Sequence, residues 1–203
     1  MQVTSESFTQ GGAIPARCAF GKPGSDGPLA WSDNLNPQLS WSGAPAGTKS
    51  YAIICVDSDV PTVFDHVNQA GHVLAADMPR QNFIHWLIAN IPAGVTALAE
   101  GSCSQGVVQG GKRDPAGPAG SIQGVNDYGG FMGDGAYHGY DGPCPPWNDA
   151  LVHRYHFRVF ALGVERLALA PGYTEAALHA AMRGHVLAEA STWGTYTLNP
   201  SLR

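Results

Sequence analysis

The chain has 203 residues, long enough to bury a substantial core without disulfide or metal staples. Only 13% of residues are charged, the net charge is −5 and no Lys/Arg-rich run occurs. This excludes nucleic acid as the main partner, because phosphate backbones are met by clustered cations. With 26 glycines and 15 prolines, the composition favours turns and short strands over long solvated helices.

No apolar run approaches the length of a membrane span, so stable membrane insertion is not expected. The N-terminal "MQVTSESFTQGGAIP" lacks the basic-then-apolar order of a secretory leader. The four cysteines (Cys18, Cys55, Cys103, Cys144) form no C-x-x-C, and the expectation is free thiols in a reducing cytoplasm.

Residues 1–50 are loop-rich, with a short strand at Asn36–Gly43. A strong strand follows at Ser50–Val56, its continuous apolar run predicting burial on both faces. Residues 58–83 read as a long polar connection, and loops of that length usually serve a function. The next strand is His85–Ile91, ended by Pro92. The glycine-rich region 101–137 offers "GVVQG" (106–110) as a short strand, and His153–Leu162 is the third strong one. Helical spacing of Leu178, Ala181, Met182 and Leu187 predicts a helix over Thr174–Ser191, with Thr174 as N-cap and Gly184 weakening or splitting it. A last strand, "TWGTYTL" (192–198), closes the chain. There is no internal repeat. The expected fold is a single mostly-β domain over 1–203, a sandwich or barrel with a C-terminal helical segment.

Side chains alternate along a strand, so Tyr51, Ile53, Cys55 and Asp57 share one face, with Asp57 at the strand exit. His85, Leu87, Ala89 and Ile91 share a face of the next strand, with His85 at its entrance. Antiparallel pairing would bring Asp57 and His85 to one rim. In the third strand His153, Tyr155, Phe157 and Val159 line one face, and Arg154 faces away. Arg154 is expected to brace the rim by pairing with Asp59 or another carboxylate.

The blocks "DSDVP" (57–61), "HWLIANIPAG" (85–94), "GYDGPCPP" (139–146) and "HRYHFRVFAL" (153–162) together resemble the phosphatidylethanolamine-binding protein family. "NPQLSWSGAPAGTKSYAII" and "GHVLAEAS" are similar to its bacterial, Raf kinase inhibitor-like branch. The likeness spans about residues 35 to 198. It implies a β-sandwich of two antiparallel sheets with C-terminal helices, and a small anion pocket at one rim. By motif position, the pocket residues would be Asp57, His85, Gly142, Pro145, His153 and Tyr155. Asp59, Pro61, Phe83, Cys144, Arg154 and His185 would form the rim or brace it, with the late helix carrying His185 over the pocket. Ser58 and Val60 replace the usual proline and alanine of the first block, and Phe83 stands where an aromatic, often Trp, is usual. The implied ligand is phosphate, a phosphoethanolamine head group or a carboxylate, and a homodimer is common in the branch.

In such a site His85, His153 and the Tyr155 hydroxyl would donate to an oxyanion, aided by backbone N–H groups of the 142–144 loop. Asp57 would accept from an imidazole N–H. Pro143, Pro145 and Pro146 would stiffen the loop and so lower the entropy lost on binding. Replacing His153 by alanine should then abolish binding without unfolding the protein. The leading expectation is a small-anion-binding protein, acting as a sensor or modulator of an unidentified partner. An acid–base enzyme using the same Asp/His/His/Tyr set is the alternative. No H-x-x-x-H with a catalytic Glu supports a metal centre, no nucleotide cradle is present, and neither metal nor cofactor is expected.

Overall fold

A computed structural model describes all 203 residues. Ten strands and two short α-helices occur in the order β1 (Gln2–Thr4), β2 (Gly21–Lys22), β3 (Ala30–Trp31), β4 (Leu39–Ser42), β5 (Ser50–Pro61), β6 (Arg80–Pro92), β7 (Ala97–Leu98), β8 (Ile122–Gln123), α1 (Gly129–Met132), β9 (His153–Leu162), α2 (Glu175–Met182) and β10 (Val186–Tyr196). A five-stranded sheet of order β10-β9-β5-β6-β8 carries the molecule. A three-stranded sheet, β1-β4-β7, packs on one of its faces, and a β2-β3 ribbon lies beside them. All pairings within the sheets are antiparallel. The chain is therefore mostly β.

The apolar run of β5 is buried on both faces, for a visible reason. Tyr51, Ile53 and Cys55 point between the two sheets, against Leu39, Trp41, Ile88 and Phe157. Ala52, Ile54 and Val56 point the other way, against Leu167, Tyr173, Leu178 and Met182. The central strand thus feeds two cores, which explains why its sequence does not alternate.

Three expectations need correction. The polar connection after β5 runs over 62–79 rather than 58–83, because Val60 pairs with Gln81 and Pro61 with Arg80 beyond a bulge. Backbone pairing continues there although Arg80, Gln81 and Asn82 on the β6 side are polar. "GVVQG" forms no strand. The predicted long helix stops at Met182. Thr174 caps it as expected, its Oγ1 accepting the Ala177 N–H at 3.3 Å. Gly184 then takes φ +78°, and Val186–Ser191 becomes strand by pairing with Arg158–Leu162. Edge pairing has overridden the helical leaning of "VLAEA". No helix is long and apolar enough to cross a membrane.

Candidate functional site

The antiparallel register sets Asp57 beside Tyr155 on β9 and beside Phe83 on β6. Between the pairs Cys55–Trp86 and Val56–Ile84 one residue of β6 is extra, and that residue is His85. The bulge turns His85 and Trp86 to the same side, while Ile84 and Leu87 pack on the opposite face. The expected row of His85, Leu87, Ala89 and Ile91 is therefore broken. A second irregularity lies near Asn90, at φ +60°. Both leave His85 at the rim shared with Asp57. Its ring centroid is 5.1 Å from Tyr155, 4.9 Å from Phe83 and 5.5 Å from Tyr128.

His153 departs from its expected role as a ligand donor. It is fully buried, with Nδ1 2.7 Å from Asp57 Oδ2 and Nε2 3.1 Å from Asp149 Oδ2. Neither ring nitrogen is left for a ligand. Asp149 in turn takes a forked pair of hydrogen bonds from Arg80, at 2.6 and 3.0 Å. Burial disfavours charge on His153, but the hydrogen bonds and charges of Asp149 and Asp57 prevail and push its pKa up to about 9. Burial also works against the Asp149 carboxylate, yet His153 and Arg80 hold it below the usual range. Asp57, His153, Asp149 and Arg80 form a row of alternating charge that is neutral as a whole. Asp149 was not legible as a partner. It lies four residues before His153, inside an irregular loop where no periodicity aims side chains.

The remaining oxygen of Asp57, Oδ1, accepts the Asp59 N–H at 2.8 Å. Asp59 is held by Arg154 through its backbone N–H (2.8 Å), Nε (2.9 Å) and Nη2 (2.6 Å). The guanidinium is outside the cavity, on the rim.

His85 is fixed from behind. Its Nδ1 lies 2.7 Å from the Asp141 carbonyl, so Nδ1 carries the proton and donates it. Asp141 is itself buried and tied to Lys112, Asn34 (2.7 Å) and Asn126 (2.9 Å). Burial lowers the His85 pKa despite nearby Asp57 and Asp141. Near neutral pH the ring is neutral, with the Nε2 lone pair uncommitted.

Gly142 does not reach the cavity. Its N–H donates to Asn34 Oδ1 at 2.8 Å and its carbonyl accepts from the Tyr128 hydroxyl at 2.6 Å. The glycine is required by close approach: a Cβ there would lie 2.1 Å from the Cys18 carbonyl oxygen. Gly142→Ala is expected to lower stability by about 1–3 kcal/mol, read as a fall in denaturant midpoint. An unchanged midpoint would show that the loop yields freely. Pro143, Pro145 and Pro146 have no N–H to give. Within 142–146 the Cys144 N–H is the amide with no partner in the chain. Burial pushes the Cys144 thiol up to about 12, so it stays protonated.

The Tyr155 hydroxyl is buried and makes no well-formed hydrogen bond, though it lies near the Asp57 carboxylate. Burial, with Asp57 adding to it, raises its pKa well above the usual value and keeps it an O–H donor. Asp57, His85, Cys144, Pro145, His153 and Tyr155 all line one cavity of about 180 Å³, with Pro61 and Phe83 at its side. The wall is mostly apolar, and the docked 62–79 connection supplies Phe64, Val67 and Asn68 to it. That connection is pinned by the Asn148 side chain, whose Nδ2 donates to the carbonyls of His66 (2.8 Å), Gln69 (3.3 Å) and His72 (3.1 Å). His185 does not cap the cavity. It is exposed beside α2, which packs on the other face of the five-stranded sheet.

Comparison with known proteins agrees with this architecture. The family model "Phosphatidylethanolamine-binding protein" matches residues 4–197. A UPF0098 protein of Methanothermobacter thermautotrophicus is 36% identical over 196 residues, covering 97% of this chain and 98% of its own. Escherichia coli YbhB is 33% identical, covering 94% and 96% respectively. Among solved structures, E. coli YbcL superposes with a TM-score of 0.69 at 31% identity, over 97% of both chains. The homologue CT736 of Chlamydia trachomatis gives 0.65 at 31% identity, over 96% of this chain and 95% of its own. The chain belongs to the phosphatidylethanolamine-binding protein family.

Proposed function

We propose that the protein binds a small ligand by an oxyanion head, a phosphomonoester or a carboxylate, at the floor of this cavity. One observation carries the proposal. The Tyr155 O–H makes no well-formed hydrogen bond, the Cys144 N–H and the His85 Nε2 have no partner, and all three residues line one cavity, while the charged groups around them are paired off. A buried hydroxyl without a well-formed hydrogen bond is uncommon and points to an absent partner.

Neutral His85 offers an acceptor, so the fitting phosphate form is the monoanion. Its P–OH donates to Nε2 while its other oxygens accept from Tyr155 and Cys144. A dianion would instead bring a proton to His85. Both complexes hold one proton more than neutral His85 and free dianion. Above the second pKa of the ligand, about 6 for a phosphomonoester, affinity should fall by up to about tenfold per pH unit. Calorimetric titration of phosphoethanolamine is expected to show binding that is far tighter at pH 6 than at pH 8. His153, with its pKa at about 9, stays charged across that range and does not contribute. Equal affinity at the two pH values would overturn the proposal.

The His85 lone pair also favours a second reading, acid–base chemistry at the same site. Turnover that disappears in His85→Gln while ligand still binds would carry it.

A further inference from the structure

We propose that residues 63–73 form a hinged lid over the cavity, latched shut by the Asn148 side chain, and that a ligand reaches the floor only when the latch releases. What has to enter rests on the head-group reading above; the lid itself follows from how the segment is held.

The floor is closed to solvent. Tyr155, Asp57 and His85 are 0%, 1% and 3% exposed, although all three line the cavity. An oxyanion is larger than the water molecule that fails to reach them, so one wall has to move. Two walls are tied down along their backbones. The floor residues sit on β5, β6 and β9, which pair with one another. The proline turn is seated on the start of β2, the Pro143 carbonyl accepting the N–H groups of Phe20 (2.9 Å) and Gly21 (3.1 Å).

Residues 63–73 are held differently. Their ends are anchored. The Thr62 N–H donates to the Pro79 carbonyl at 3.1 Å. Leu74 is buried and pairs with the chain at 148–150 through hydrogen bonds of 3.0 and 2.9 Å. Between these anchors no backbone–backbone hydrogen bond joins the segment to the body. Its own three are tight turns, from Val67 to Phe64, Gln69 to His66 and His72 to Gln69. The His66 and His72 rings stack at 4.0 Å and 8°, closing the neck of the loop so that 66–72 moves as one piece.

The polar ties to the body converge on one place. Asn148 Nδ2 donates to the carbonyls of His66, Gln69 and His72, and its Oδ1 accepts the Asn68 N–H at 2.9 Å. The one further tie is next door, where Asn68 Oδ1 accepts the Trp147 N–H at 2.9 Å. On the far side Phe64 meets Phe131 of α1 edge-on at 4.9 Å, closing the mouth. Val63 and Val73 stay exposed. A segment with so few buried apolar contacts opens locally at low cost, and lids are drawn from such segments. A single amide that makes four of the five polar ties is a latch that one substitution can undo.

The test compares wild type, Asn148→Ala and Phe64→Ala by amide exchange of the free protein and by stopped-flow binding of phosphoethanolamine at pH 6. In Asn148→Ala the amides of Val67, Asn68 and Gln69 should exchange at least about tenfold faster, since several hydrogen bonds are lost together. Those of Ile54 and Phe157, in the paired strands, should change less than about threefold. Association and dissociation of phosphoethanolamine should both accelerate by about the same factor as lid exchange. Phe64→Ala, at a surface position, should act in the same direction, and it decides the matter if Asn148→Ala fails to fold. Equal acceleration of the core amides would make Asn148 a brace of the whole fold and overturn the latch. Faster lid exchange with unchanged binding kinetics would overturn the entry route. If phosphoethanolamine binds none of the three proteins, the head-group reading falls, and the lid stands or falls on the exchange data alone.

Discussion

His153→Ala is expected to destabilise the protein by about 3–5 kcal/mol, contrary to the expectation that it silences a ligand site in an intact fold. The ring separates two buried carboxylates, and its loss leaves Asp57 without its ionic partner and Asp149 with Arg80 alone. For a chain of this size the melting temperature should fall by more than about 6 °C. A second measurement separates this from a simple cavity effect. The pKa of His153 is raised by folding from its ordinary 6.5 to about 9. The stability it supplies is therefore fully present below pH 6.5 and is lost as pH rises through about 9. His85, held below 6.5, works in the opposite direction and opposes folding as pH falls. Asp59 and Asp149, held below the usual carboxylate range, lose their contribution only in stronger acid. Wild-type stability should peak near pH ~6.5 and decline on the alkaline side. In His153→Ala that alkaline decline should flatten. A variant that melts like wild type, with the alkaline limb intact, would show that the row of charges does not brace the rim.

The two histidines show what sequence can and cannot convey here. Strand alternation and antiparallel pairing bring Asp57, Tyr155 and His85 to one rim, because hydrophobic pattern sets which strands pair and how. Pattern does not reveal a bulge. His85 reaches the cavity only because β6 carries one extra residue there, and strict alternation would have turned it to the face of Leu87. Nor does pattern show what a polar side chain meets. His153 looked available because it leads an apolar row, but both its nitrogens are taken by residues from other segments. Asp149 and Asp141 were missed for the same reason. Each lies in irregular chain beside the proline turn, where only the assembled fold aims the carboxylate. The place of Arg154 was legible from alternation off the ligand face, and of the carboxylates it could meet the fold selects Asp59. The helix boundary at Met182 was not legible, because the edge of β9 decides it and not the local sequence.

Tyr155→Phe separates binding from folding more cleanly than any histidine variant. The hydroxyl is buried and makes no well-formed hydrogen bond, so its removal takes away a desolvated polar group and only a weak contact with Asp57. Folding stability should stay level or rise by about 1 kcal/mol. The same hydroxyl is the strongest neutral donor offered to an oxyanion, and a hydrogen bond to a charged group contributes about 1.5–3 kcal/mol. Affinity for phosphoethanolamine at pH 6 should therefore drop by roughly 10- to 150-fold. Few substitutions move stability and affinity in opposite directions, and the combination arises only where a group is kept unsatisfied for an absent partner. Parallel losses of stability and affinity would mean that Tyr155 is a packing residue whose hydroxyl finds water. Unchanged affinity with raised stability would place the anion elsewhere, and the floor of the cavity would then lack the donor on which its chemistry depends.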